Sequence, residues 1–195
     1  NETINLIQKG KNFKAEKLIN KNNDKKINID IKSNSQLSFE NLNFKYSDKL
    51  IFENLNIKFS TNKIFAIIGK NGSGKSTFLD LLSGLIKPSS GKIKINNVEL
   101  NQVETNWREM IGYLSQSYFI FDDTLLKNIV FYDQKDGLNE KLLDKALDVS
   151  GVNSFIKELS DGLNTNLGSM VKFLSGGQRQ KIAIARVMYR NPKIL

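Results

Sequence analysis

Residues 69–77 read GKNGSGKST, entered from the apolar run KIFAIIG at residues 63–69 and followed by a segment with helical apolar spacing. No other feature constrains the fold as much, because it demands a strand, a tight turn and a helix in immediate succession. The pattern of Gly, four residues and Gly-Lys-Ser is that of a phosphate-binding loop. Gly69, Gly72 and Gly74 let the backbone curl until successive amides converge on one anion, and the helix that follows adds its positive N-terminal end. Lys75 is then placed to reach the β and γ phosphates of a nucleoside triphosphate, and Ser76 to offer its hydroxyl to Mg²⁺. Lys70, Asn71, Ser73 and Thr77 complete the loop, and the run at 63–69 is expected to be a strand buried on both faces.

Composition excludes other chemistry. The chain has 195 residues with Cys 0 and His 0, so thiolate metal sites, disulfides and histidine general-base catalysis are impossible within it. No apolar run approaches the roughly 18 to 20 residues needed to cross a bilayer, so these residues are expected to be soluble. The net charge of +9 is of the kind that attracts nucleic acid or anionic lipid. Yet only Arg108, Arg179, Arg186 and Arg190 are arginines among the 29 basic residues, and the lysines alternate with Asn and Ile, as in A/T-rich coding. They read as a solvated surface, and no nucleic-acid partner is expected.

Residues 1–23 carry a weak helical pattern interrupted by Gly10, and residues 20–35 are polar enough to be a linker, which puts a domain boundary near Asn34. Two half-buried strands are expected at 36–46 and 50–59 with a turn at Ser47-Asp48, giving an antiparallel start. The helix from Lys75 should bury Phe78, Leu79, Leu81 and Leu82 and stop by Gly84. A strand with Ile93 and Ile95 turns at Asn96-Asn97, a strand is expected over 110–115, and helices from Thr124, over 139–150 and over 152–160, with a turn at Asp161-Gly162. The first residue is Asn1 and the last three, Lys193-Ile194-Leu195, sit in an apolar run, so both ends are read as interior to a longer sequence.

The sequence LSGGQ at 174–178 stands directly before an amphipathic run over 178–189, and so forms a second helix N-terminus with exposed amides. Two phosphate-seeking helix ends exceed what one nucleotide needs. The simplest arrangement is two copies facing head to tail, with Ser175, Gly176 and Gly177 of one covering the γ-phosphate held by the other.

Taken together, residues 69–77, Gln116 and LSGGQRQKIAIARVMYRNPKIL resemble, in order and spacing, the nucleotide-binding domain of ATP-binding cassette transporters, most closely the exporter type. The resemblance covers about residues 34–195. It implies an α/β fold: a P-loop NTPase core with an N-terminal antiparallel β-subdomain and a helical signature subdomain, incomplete at the C-terminus. It further implies that ATP and Mg²⁺ bind at residues 69–77, that Tyr46 stacks on adenine, that Gln116 touches Mg²⁺ beside Ser76, and that Ser175 to Gln178 form the signature that closes on a second domain. Lys75 and Gln116 are the residues it places at the reacting phosphate. Residues 1–33 would be the cytoplasmic end of a transmembrane helix plus linker. The partners would be a second nucleotide-binding domain and a membrane domain, reached through the segment at 121–131, with the protein at the cytoplasmic face of a cell membrane.

Departures from the family pattern occur at Ser169 and Val171, where glutamate and glycine are usual, and at Asn62-Lys63, where Gly-Glu is common. The aspartate, water-polarising glutamate and later histidine of the family fall after the position of Leu195, so ATP hydrolysis is expected of a longer parent. A soluble cassette ATPase serving nucleic acid or ribosomes, a separate importer subunit and a binding-only regulator stay open as alternatives.

Overall fold

The computed structural model of the chain describes residues 31–32, 34–131, 137–168 and 173–195. The helical pattern over 1–23, most of the proposed linker, and Ser169 and Val171 lie outside the described residues.

Strands β1 (Gln36–Tyr46) and β2 (Lys49–Ser60) form the expected hairpin. The buried positions of β1 change phase, from Leu37 and Phe39 to Leu42 and Phe44. Side chains of a strand alternate faces, so a change of phase requires one extra residue. The register slips between Phe39 and Leu42, where Asn41 takes φ 48. Against this bulge runs Gly91, whose φ is +83 and whose Cβ, if it had one, would stand 2.3 Å from the Asn41 carbonyl oxygen. Only glycine fits there.

Strands β3 (Ser90–Ile95) and β4 (Val98–Glu99) complete an antiparallel sheet in the order β2-β1-β3-β4. Asn96 and Asn97, at φ 48 and 69, make the tight turn between them. Helix α1 (Lys75–Leu82) lays Phe78 on the sheet, its ring stacked on Phe39 with centroids 4.6 Å apart. Helix α2 (Glu104–Met110) buries Trp107 completely, and the indole Nε1 donates to the Leu82 carbonyl at 2.7 Å. Ile31, ahead of the expected boundary at Asn34, packs on this same core.

A second core gathers α3 (Leu125–Val130), α4 (Glu140–Ser150), α5 (Asn153–Ile156) and α6 (Gly176–Tyr189), with Leu125, Ile129, Leu147, Phe155, Leu167 and Ile182 at its centre. Thr124 and Asn139 cap α3 and α4 by accepting from the amides of Lys127 and Leu142. The helix expected over 152–160 covers only Asn153–Ile156, because the bonds beyond it tighten to Glu158 on Phe155 and Leu159 on Ile156, the spacing of a 3₁₀ turn. Packed against the sheet core, Ile111 bridges Ile194 in parallel, and the Gly112 amide donates to the Ile194 carbonyl at 2.8 Å. None of the described helices is long and apolar enough to cross a membrane.

Three expectations are corrected. Residues 63–69 are not a buried strand: Ile64 is 101% and Ile68 91% exposed. A parallel strand draws its hydrogen bonds and its cover from neighbours on both edges, and among the described residues no strand pairs with 63–69. The strand expected over 110–115 is reduced to the bridge at Ile111, preceded by α2, for the same want of neighbours. Leu79 is 39% exposed rather than buried, since one helical step turns it about 100° from Phe78. It follows that Ile68→Ser should change stability by less than about 0.5 kcal/mol in urea denaturation, where a strand buried on both faces would lose several times that.

Candidate functional site

The phosphate loop is held open. Helix α1 has Gly74 at its N-cap in the left-handed region, φ 91, with no side chain capping the first turn, so its leading amides are left for an outside acceptor. The loop turns on a Ser73 amide to Lys70 carbonyl bond of 3.2 Å, and a Cβ on Gly69 would meet Ser73 Oγ at 2.6 Å. Lys75 folds its Nζ back onto the carbonyls of Gly69 and Lys70 at 2.9 and 2.8 Å. The ammonium is therefore held by carbonyls of its own loop. Ser76 is exposed and Thr77 buried, while Lys70, Asn71 and Gly72 are exposed.

Gly74 lies against Ile51 and Phe52 of β2, which sets the loop beside the hairpin. Tyr46, at the tip of that hairpin, is 48% exposed and braced edge-on by Phe44 at 4.8 Å. A broad, exposed, immobilised ring is what stacking on a base requires. Gln116 is exposed on the segment that leaves Ile111, and the same segment is tied to α1 by Tyr113, whose hydroxyl donates to Asp80 Oδ1 at 3.0 Å. Burial first, and then the Asp80 carboxylate, raise the phenol's pKa above its ordinary value. Ser76 and Gln116 offer neutral oxygens, the donor type a Mg²⁺ that keeps much of its water accepts.

Ser175, Gly176, Gly177 and Gln178 stand on the other half of the molecule. Ser175 caps α6 in a reciprocal box: its Oγ accepts from the Gln178 amide at 3.1 Å, and Gln178 Oε1 accepts from the Ser175 amide at 2.8 Å. Gln178 is thus engaged in shaping the turn, while the Ser175 hydroxyl keeps its proton for an outside acceptor. A Cβ on Gly176 would meet nothing within 4 Å, and one on Gly177 only Ser175 Oγ at 3.8 Å. Neither glycine has positive φ. Each costs a helix about 1 kcal/mol relative to alanine, so neither packing nor backbone conformation within the chain calls for them. What they leave is bare amide surface. Among the described residues no hydrogen bond joins this turn to residues 69–77: Tyr46 and Gly74 both border the β1–β2 hairpin, whereas Leu174 and Ile182, on either side of the turn, pack in the second core.

Sequence reasoning passed over Tyr118, Asn128 and Arg186. Tyr118 donates its hydroxyl to the Gly176 carbonyl at 3.1 Å. Asn128, fully buried, accepts from the Phe121 amide and from Arg186, whose guanidinium also lies over the Phe121 ring at 5.0 Å. The available signal was scarcity: of four arginines, Arg108, Arg186 and Arg190 line one cleft of about 830 Å³ between the two cores, with Tyr113, Phe121 and Phe131.

The ABC transporter family model matches residues 52–195. An export ATP-binding/permease protein of Rickettsia typhi is 40% identical over 130 residues, which are 66% of this chain and 22% of that protein. The ATP-dependent lipid A-core flippase of Francisella tularensis subsp. holarctica is 38% identical over 131 residues, 67% of this chain and 21% of that protein. A bacterial Atm1-family ABC exporter solved with ATP bound superposes with a TM-score of 0.74 at 32% identity, covering 84% of this chain and 29% of that one. The chain therefore spans about a fifth of the length of these curated relatives.

Proposed function

This chain belongs to the ABC transporter family, a family of ATP-binding ATPases, and from that premise we propose that it is the nucleotide-binding part of an exporter or flippase. ATP is held at residues 69–77 with its base on Tyr46, and Ser76 and Gln116 hold Mg²⁺, which when bound neutralises phosphate charge. Lys75 leaves the carbonyls of Gly69 and Lys70 for the outer phosphates, trading two neutral hydrogen bonds for charge-assisted ones. The domain is read as residues 34–195 together with Ile31, which packs on its core, and Lys32, whose carbonyl accepts from Thr61, and the residues ahead of them as the cytoplasmic end of a transmembrane helix with its linker. The names of the relatives, an export permease and a flippase, support a membrane domain in the same polypeptide. The arginine-lined cleft is the surface proposed to receive it.

The observation that carries this function is the pair of glycines at 176 and 177, kept bare where nothing inside the chain needs them. They support a second copy docking head to tail, its γ-phosphate meeting the Ser175 hydroxyl and the first amides of α6. Those contacts exist only in the closed pair, so ATP favours closure, and its hydrolysis reopens the pair and resets the membrane domain. Turnover also needs a carboxylate that orients water.

The test is a titration of the chain with a fluorescent ATP analogue, with mass measured by light scattering in Mg·ATP. Binding that weakens on chelating Mg²⁺, with a shift from monomer to dimer, is the expected result. Gly177→Asp should bind the analogue within about twofold of wild type yet stay monomeric, because its carboxylate would face the incoming phosphate. No binding at millimolar analogue, or a dimer that forms equally well in Gly177→Asp, would sink the proposal.

A further inference from the structure

We propose that Tyr118 is a positioning residue that ties the Gln116 loop to the first turn of α6, so that the nucleotide at this chain's own phosphate loop sets the turn that meets the second copy's nucleotide. This rests on the head-to-tail function proposed above.

Tyr118 lies two residues beyond Gln116, and its hydroxyl reaches the Gly176 carbonyl at 3.1 Å. That carbonyl belongs to the first residue of α6, next to Ser175, whose own carbonyl accepts the helix's first backbone bond from the Arg179 amide at 3.0 Å. A carbonyl has two lone pairs, so the phenol adds to the helix bond without displacing it. The segment has a second tie further along. The Phe121 amide donates to Asn128 Oδ1 at 2.8 Å, Asn128 Nδ2 donates back to the Phe121 carbonyl at 3.0 Å, and Arg186 Nε donates to the Asn128 carbonyl at 2.7 Å. The Arg186 guanidinium covers the Phe121 ring.

Gly176 and Arg186 are both on α6, about 15 Å apart along its axis at 1.5 Å per residue. Anchored at two well-separated points on one helix, the segment from Tyr118 to Phe121 can neither slide along α6 nor swivel about it. The anchor at Arg186 is half-buried and multiple, and it rests on the fully buried Asn128. The one at Gly176 is a single hydroxyl on a half-buried ring, and it alone acts at the helix end that carries Ser175. Packing would be served equally by phenylalanine. What the oxygen adds is a link from the loop that bears Gln116 to the amides at the start of α6.

The experiment is hydrogen exchange by mass spectrometry on residues 176–181, in wild type and Tyr118→Phe, at a concentration where the chain is monomeric. Without nucleotide, Tyr118→Phe should exchange about two- to tenfold faster there, with its urea midpoint unchanged. Equal rates would overturn the tether. With Mg·ATP, wild type should slow in this segment. Tyr118→Phe should bind the fluorescent analogue as tightly and lose the slowing, and Lys75→Ala should show no response. A response that survives in Tyr118→Phe, or is missing from nucleotide-bound wild type, overturns the coupling. If the analogue binds neither protein, the proposed function fails and the coupling with it, and that outcome is distinct from bound nucleotide without a response.

Discussion

Lys75→Ala is expected to weaken Mg·ATP binding by about 10- to 100-fold, the equivalent of losing charge-assisted bonds to the outer phosphates. The fold should be indifferent to it. Among the described residues the ammonium bonds to carbonyls of its own loop, at Gly69 and Lys70, and the helix it begins is stabilised by Phe78 and Leu81 further along. A fluorescent-analogue titration beside a urea melt separates the two quantities: affinity should fall steeply while the midpoint hardly moves. An affinity within twofold of wild type would mean that the loop does not carry the triphosphate. A collapsed midpoint would mean that Lys75 is a structural residue.

Trp107→Ala is expected to remove about 3 to 5 kcal/mol of stability, the largest effect of any single change proposed. The indole is completely buried between the sheet core and α1, and its Nε1 closes the C-terminal end of α1 through the Leu82 carbonyl. Truncation leaves a cavity and an orphaned acceptor at the end of a helix only 8 residues long. Trp107 is the chain's one tryptophan, so the melt has to be followed by circular dichroism rather than by fluorescence. A loss below about 1 kcal/mol would show that the β half does not depend on this contact.

How much of this was legible in the sequence varied with where each element finds its partners. The hairpin, the turn at Asn96-Asn97 and the helix starts at Thr124 and Asn139 are set by nearby residues, and each stands where the spacing put it. Residues 63–69 have the composition of a central strand, but composition cannot supply the neighbours that make it one. Asparagine was read as a mark of coding bias. Yet Asn41, Asn54, Asn62, Asn96, Asn97 and Asn191 account for six of the eight non-glycine residues with positive φ among those described. Asparagine tolerates that region, so the bias is put to use at bulges and turns. At the candidate site the loop and the signature turn were evident from glycine spacing. Tyr118 and Arg186 were not, because their partners, Gly176 and Asn128, lie 58 residues away in each case.

The bare edges of residues 63–69 also govern how the chain behaves as a colloid. Ile64 and Ile68 stand almost fully in solvent on a segment that no strand among the described residues flanks, the kind of edge that recruits another copy. What opposes such contact is the mutual repulsion of molecules that each carry +9. That repulsion reaches about 10 Å at 0.1 M salt and only about 3 Å at 1 M. The chain should therefore keep its solubility in dilute buffer and shed it as salt is added, the opposite of a protein whose molecules attract one another through charge.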